Sequence, residues 1–200
     1  MGWFLSQVFG WRVLLLQTGR QGNYEPFETT VALNQWIHEE AGSGPLVGIG
    51  FSKGGQDLAW LFSAMLMNDP TRQLSLVMMS TPVKGTPMAK VVRTRGAQAL
   101  LPGTPEIRQT KSLITALHKG KVHIAFYGAI WDRIVRRSDS RTDNDEQYRP
   151  PTWKERLRGI KRSPPWYWSR TLWFQFGHTA IYNPIAWLQV GWYVRDLPRL

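Results

Sequence analysis

Apolar and polar residues alternate along this chain in blocks that predict strands and helices in turn. Short apolar runs predict strands at 12–17, 46–51, 74–79, 122–127 and 172–176. Segments with apolar residues at helical spacing predict helices at about 3–11, 29–40, 56–67, 111–118 and 185–194. Strands that alternate with helices favour parallel pairing through right-handed crossovers. The pattern therefore predicts a single α/β domain over residues 1–200, with a mostly parallel sheet of about five strands flanked by helices.

A glycine-rich turn joins the second predicted strand to the helix after it. It holds the pattern Gly50-Phe51-Ser52-Lys53-Gly54. A serine at a sharp strand-to-helix turn needs small neighbours, and we expect Gly50 and Gly54 to let the chain pack around it. The hydroxyl would then project above the sheet, facing the free N–H groups of the helix N-terminus. The bare pattern also fits an ordinary turn, but the strand, the helix and the extra Gly55 favour a nucleophile.

Two further candidates follow later strands. Side chains just after parallel strands share one edge of a sheet, where sites in such folds lie. Ser52 follows the second predicted strand, Asp132 the fourth and His178 the fifth. A serine hydroxyl needs an imidazole to take its proton, and a carboxylate to hold that imidazole in one tautomer. Alone, Asp132 is typical of a helix cap and His178 of a buried histidine; together, in this order, they predict a Ser-His-Asp triad.

Several segments resemble the serine lipase/esterase branch of the α/β-hydrolase superfamily, over nearly the whole chain. They are GFSKGG at the turn, STPVKGTPMA after the third strand, LLPGTPEI, GAIWDRIV and FGHTAI. The resemblance implies Ser52 as nucleophile, Asp132 as orienting acid, His178 as general base and the backbone N–H of Lys53 as oxyanion donor. It implies hydrolysis of hydrophobic or acyl-lipid esters without a cofactor. The sequence departs from the family at Val83, where histidine is usual, and at Lys53.

The family fold normally has strands before the one predicted at 12–17, and a loop among them supplies a second oxyanion N–H. This sequence starts at what we interpret as the helix just after that loop. We therefore expect an N-terminally truncated sheet that lacks one donor, which would lower the rate by about 10²–10³. A truncated reading of a longer protein and a shortened homologue both fit this expectation.

Composition limits the chemistry. A hydrophobic content of 42% excludes a disordered chain. The absence of cysteine excludes disulfides and thiolate metal sites, and the four histidines lack metal-ligand spacing, so we expect no metal. No apolar run reaches the ~20 residues of a membrane span. The N-terminus also lacks a secretory layout, and these features favour a cytoplasmic or membrane-peripheral location.

The formal net charge of +11 raises the question of an anionic partner. Basic and aromatic residues interleave in a predicted insert at about 136–170. This composition favours an anionic membrane surface bound through 149–170. A solvated loop whose tryptophans pack on the body is the alternative. Single-stranded nucleic acid is disfavoured because no nucleic-acid module accompanies the insert. A weak or inactive hydrolase-fold module that binds a membrane or a protein is the second functional interpretation.

Overall fold

Four parallel strands form the central sheet of the computed structural model, which describes residues 2–15, 24–120, 122–130, 132–136, 138–140, 154, 157–158, 167–176, 178 and 184–195. The strands are β1 (Leu46–Phe51), β2 (Leu74–Met79), β3 (His123–Ile130) and β4 (Tyr167–Phe176). They lie side by side in chain order, and each pairs in parallel with the next. All four carboxyl ends therefore meet at one edge.

Helices cover both faces of this sheet. They are α1 (Gly2–Phe9), α2 (Pro26–Ala41), α3 (Lys53–Asn68), a 3₁₀ turn (Pro87–Lys90), α4 (Arg95–Gln98), α5 (Pro105–Lys119) and α6 (Pro184–Arg195). Buried residues of α2, α3 and α5 form one core cluster with the sheet, and residues of α1 and α6 form the other. The result is a three-layer α/β/α arrangement, and the predicted α/β class is confirmed.

Strand β2 is buried along its whole length and divides its side chains between the two layers. Leu74, Leu76 and Met78 enter the cluster under α3 and α5, whereas Val77 and Met79 enter the cluster under α1 and α6. Successive side chains of a strand point to opposite faces, so a strand covered on both sides must be apolar throughout. Because helices cover both faces of β2, its sequence is a continuous apolar run, and this run predicted the strand.

The strands predicted at 46–51 and 74–79 are confirmed at the same bounds, and the predicted helices correspond to α1, α2, α3, α5 and α6. Helix α5 begins at Pro105, earlier than the predicted 111, because the Thr104 hydroxyl accepts the Ile107 N–H at 3.4 Å and caps the first turn. Strand β4 also begins early, at Tyr167, so the end of the predicted insert is strand. Most of the rest of that insert lies outside the described residues.

The strand predicted at 12–17 is wrong over its described part. Residues 11–15 carry no regular secondary structure, and Leu15 is 77% exposed. Trp11 and Val13 pack instead against the cluster of α1 and α6, and Trp11 stacks on Phe9 with 5.0 Å between ring centroids. The partial burial of Trp11 and Val13 therefore comes from packing on this cluster and not from strand pairing. The described sheet has four strands, fewer than the predicted five.

None of the helices in the described ranges has both the length and the apolar content that a membrane crossing requires.

We expect His118 to make the stability of the fold sensitive to pH. It lies in the last turn of α5 with 6% of its surface exposed, and burial lowers its pKa from 6.5 to about 4. The unfolded chain therefore binds a proton that the folded protein does not bind between these values. We expect the free energy of unfolding to be highest above about pH 6.5 and to fall as the pH falls towards 4.

Urea denaturation at several pH values measures this dependence. The substitution His118→Gln should reduce the pH dependence, whereas His38→Gln, at an exposed position on α2, should leave it as in the wild type. Equal pH dependence in wild type and His118→Gln would contradict the assignment.

Candidate active site

Three side chains from the ends of three strands form a hydrogen-bonded series at the carboxyl edge of the sheet. Ser52 directly follows β1, and Asp132 and His178 come shortly after β3 and β4. The His178 Nε2 atom lies 3.0 Å from the Ser52 Oγ atom, and His178 Nδ1 lies 2.9 Å from Asp132 Oδ2. A proton on Nδ1, donated to the carboxylate, leaves Nε2 as an acceptor for the serine hydroxyl. The geometry therefore allows His178 to take the serine proton.

The Asp132 carboxylate is fully buried, with 0% of its side chain exposed. Its Oδ1 atom accepts the backbone N–H groups of Ile134 and Val135, each at 2.9 Å. Burial by itself raises the pKa of Asp132, but the hydrogen bonds from His178, Val135 and Ile134 outweigh it and hold that pKa below its ordinary value. The carboxylate is therefore charged at neutral pH and fixed in one orientation against the imidazole.

The turn at Ser52 has a strained backbone. Ser52 has φ 51° and ψ −125°, a combination that is rare for a residue with a Cβ atom. Its N–H donates to the Met79 carbonyl at 2.8 Å, which ties the turn to the end of β2. The chain passes directly from β1 into α3 here, and the Phe51 ring lies beside the His178 ring at 4.8 Å between centroids.

The glycines that permit this turn are Gly50 and Gly55, not Gly50 and Gly54 as expected. A Cβ atom at Gly50 would lie 2.5 Å from the Gly55 Cα atom, and one at Gly55 would lie 2.0 Å from the Thr81 Oγ1 atom. A Cβ atom at Gly54 would meet nothing within 4 Å. The close approach of β1, α3 and the segment after β2 decides which glycines are required, and the spacing of the motif does not show it.

Lys53, the first residue of α3, has its ammonium group held in an ion pair. Its Nζ atom binds both carboxylate oxygens of Asp57, at 2.7 and 2.8 Å, and the two side chains are only 15% and 4% exposed. Burial raises the pKa of Asp57, and Lys53 offsets part of that rise. The ion pair with Asp57 keeps the Lys53 ammonium on the helix.

The backbone N–H of Lys53 is a separate matter. The N–H groups of a helix's first turn have no intrahelical acceptor, so the Lys53 N–H can serve as an oxyanion donor.

The segment after β2 supports the loop that carries Asp132. The Thr86 hydroxyl donates to the Ile134 carbonyl, and the Lys84 N–H donates to the Asp139 carbonyl at 2.9 Å. Val83, where the lipase resemblance leads one to expect histidine, is fully buried in the core. Sequence reasoning did not identify Thr86 or Asp57 as supporting residues, because both act through partners that only the folded chain brings near.

Among the described residues, no three histidine, cysteine, aspartate or glutamate side chains are grouped so that they could hold a metal ion.

Comparison with known proteins shows the fold. No protein-family model and no curated protein sequence matches the chain. Phospholipase PlaB from Legionella pneumophila in complex with thio-NAD is similar, with a TM-score of 0.52 and 12% identity over 64% of this chain and 35% of that chain. A lipase-esterase related protein from Clostridium acetobutylicum has a TM-score of 0.51 and 8% identity, over 87% of this chain and 76% of that chain.

The esterase RhEst1 from Rhodococcus sp. ECU1013 gives a TM-score of 0.50 and 12% identity, over 91% of this chain and 76% of that chain. These structures show that the chain has the α/β-hydrolase fold, as the motifs predicted. The chain spans about a third of the length of the PlaB chain that it matches.

The close approach at Gly50 generates a prediction that separates the glycines of the motif. Gly50→Ala forces a methyl group against the α3 backbone and should destabilise the protein by about 3 kcal/mol or more. Gly54→Ala adds a methyl group in open space and should leave stability unchanged or slightly raised. Thermal unfolding of the two variants beside wild type measures the difference, and equal melting temperatures for the two would contradict the packing described here.

Proposed function

We propose that this protein is a serine hydrolase that cleaves carboxylic esters through an acyl-enzyme on Ser52. The observation that carries the proposal is the unbroken series from the Ser52 hydroxyl through His178 to the buried, triply hydrogen-bonded Asp132 carboxylate. A satisfied core histidine requires no serine in a strained turn, and a capping aspartate requires no histidine. The presence of all three side chains in one hydrogen-bonded series therefore supports catalysis better than a purely structural role for His178 or Asp132.

In the proposed reaction, the Ser52 Oγ atom attacks the ester carbonyl carbon while His178 Nε2 takes the hydroxyl proton. The negative charge that develops on the carbonyl oxygen is stabilised by the Lys53 N–H at the start of α3. The imidazolium then protonates the departing alkoxide, which leaves as an alcohol and leaves the acyl group on Ser52. A water molecule, deprotonated by His178, attacks that acyl group. The bond from the acyl carbon to Ser52 Oγ then breaks, His178 returns the proton to Oγ, and the acid leaves. Asp132 stays ionised and stabilises the imidazolium during both acylation and deacylation.

The proposed substrates are hydrophobic esters, acyl lipids among them. The similar solved structures include a protein named as a phospholipase and one named as an esterase, which supports ester hydrolysis. Apolar Phe51 beside His178 supports an apolar substrate near the reacting atoms.

A fluorophosphonate probe tests the nucleophile. The folded wild-type protein should be labelled covalently, and Ser52→Ala should abolish the labelling. Ser112→Ala, at an exposed serine on α5, is the matched control and should label like wild type. Folded wild-type protein that is not labelled would reject the proposal in favour of a non-catalytic hydrolase-fold module.

Asp132→Asn tests the orienting carboxylate. An amide can still accept the Ile134 and Val135 N–H groups, but its NH₂ group facing Nδ1 favours the tautomer whose Nε2 carries the proton. We expect kcat to fall about 10⁴-fold with the fold intact and KM little changed. Asp139→Asn, in the same loop, is the control and should retain activity. A fall of less than tenfold for Asp132→Asn, measured with a soluble chromogenic ester, would remove Asp132 from the proposed machinery.

A further inference from the structure

A solvent-exposed apolar surface lies next to the loop that carries Asp132. It consists of Met88, Val91, Val92 and Ile134, which are 44%, 73%, 48% and 42% exposed, and we call it the rim surface. Met88 lies in the 3₁₀ turn that starts at Pro87, and Val91 and Val92 follow directly after that turn. Exposed aliphatic side chains grouped in this way are typical of an interaction site.

The rim surface is held in place by hydrogen bonds. The Thr86 hydroxyl accepts the Met88 N–H at 3.3 Å and donates to the Ile134 carbonyl, so it joins the two parts of the surface. The Gln98 side chain donates to the carbonyls of Ala89 and Val92 at 3.1 and 2.6 Å. The surface therefore presents its apolar side chains from a fixed backbone and does not depend on a binding partner to form.

The same surface is joined directly to the candidate site. The Ile134 N–H donates to the Asp132 Oδ1 atom at 2.9 Å, while the side chain of Ile134 belongs to the rim surface. Whatever the rim surface contacts is thereby placed close to the carboxyl edge of the sheet, where the reacting groups lie.

Cationic side chains are exposed in both segments that carry the rim surface. Between Asp69 and Glu106 the sequence contains no acidic residue. Lys90 is exposed between Met88 and Val91, and Arg93 is exposed directly after Val92. Arg133 and Arg136 are exposed on either side of Ile134. Arg95 is a separate case, because it binds Glu25 and Glu28 at 3.2 and 3.1 Å. An apolar centre with a cationic border is complementary to an anionic, amphipathic partner.

We propose that the rim surface docks this protein on the surface of an anionic lipid bilayer. Aliphatic side chains enter the boundary between headgroups and acyl chains, and lysine and arginine beside them contact anionic headgroups. Single-stranded nucleic acid fits less well, because none of the four apolar side chains is aromatic and can stack on a base. This docking stands independently of catalysis; if the proposed function holds, it delivers a bilayer ester to the edge at which Ser52 lies.

Co-sedimentation of the full chain with vesicles of phosphatidylcholine, with and without phosphatidylglycerol, tests the proposal. The wild type should bind the anionic vesicles more tightly. The double variant Val91→Asp/Val92→Asp should weaken that binding at least about tenfold, because it places two anions at the contact. The matched control is Val31→Asp/Met67→Asp, which makes the same change of charge at exposed apolar positions on α2 and α3 and should bind nearly as wild type.

A second double variant tests the cationic residues that border the rim surface. Lys90→Ala/Arg93→Ala should lower affinity for the anionic vesicles about tenfold and leave binding to pure phosphatidylcholine unchanged. If the Val91/Val92 and Val31/Met67 double variants lost the same amount of affinity for anionic vesicles, the proposal would be overturned. Equal loss would show that the change of net charge weakens binding wherever the aspartates are placed. Retention on single-stranded DNA that needs Lys90 and Arg93, without vesicle binding, would also overturn it.

A second measurement separates this proposal from the proposed function. Val91→Asp/Val92→Asp should keep the wild-type rates of fluorophosphonate labelling and of soluble ester hydrolysis while it loses vesicle binding. Vesicle binding that depends on the rim surface in a protein that is never labelled would support docking and reject the hydrolase.

Discussion

The close approach of α3 to the end of β1 is the constraint on which the candidate site depends. The backbone at Gly55 leaves no room for a side chain at Gly50, and the Thr81 side chain leaves none at Gly55. Ser52 lies between them in a conformation that a residue with a Cβ atom rarely adopts. The surrounding contacts, above all the hydrogen bond from the Ser52 N–H to the Met79 carbonyl, hold it there. This packing sets both where the hydroxyl points and where the first N–H groups of α3 lie.

The second requirement is a charged carboxylate kept away from water. A buried carboxylate is costly unless hydrogen bonds replace its hydration, and Asp132 has three donors for that purpose. Two are backbone N–H groups of its own loop, so the loop's conformation and the charge stabilise each other. The segment after β2 supports the same loop through Thr86 and Lys84. The position of His178 therefore depends on two separate parts of the chain, the loop of Asp132 and the segment after β2.

Buried and exposed charges have different roles in this molecule. Lys53 lies next to Ser52, yet its ammonium is held by Asp57 inside the protein, so it adds little free positive charge at the site. The exposed cations Lys90, Arg93, Arg133 and Arg136 border the rim surface, where they can meet a partner. A net charge of +11 alone does not distinguish these cases, because the effect of a charge depends on burial and on its neighbours.

Sequence alone determined the elements whose formation is local or depends on a simple pattern of burial. Continuous apolar runs gave β1 and β2 at their observed bounds, and helical spacing gave α3, because these patterns reflect directly which faces are covered. It also gave the residue types and chain order of Ser52, Asp132 and His178. Only the tertiary structure decided that residues 11–15 form no strand, and that Gly55 rather than Gly54 is sterically required. The tertiary structure alone also set the distances from His178 to Ser52 Oγ, 3.0 Å, and to Asp132 Oδ2, 2.9 Å. Each of these depends on contacts between segments far apart in the chain, which no local pattern of residues records.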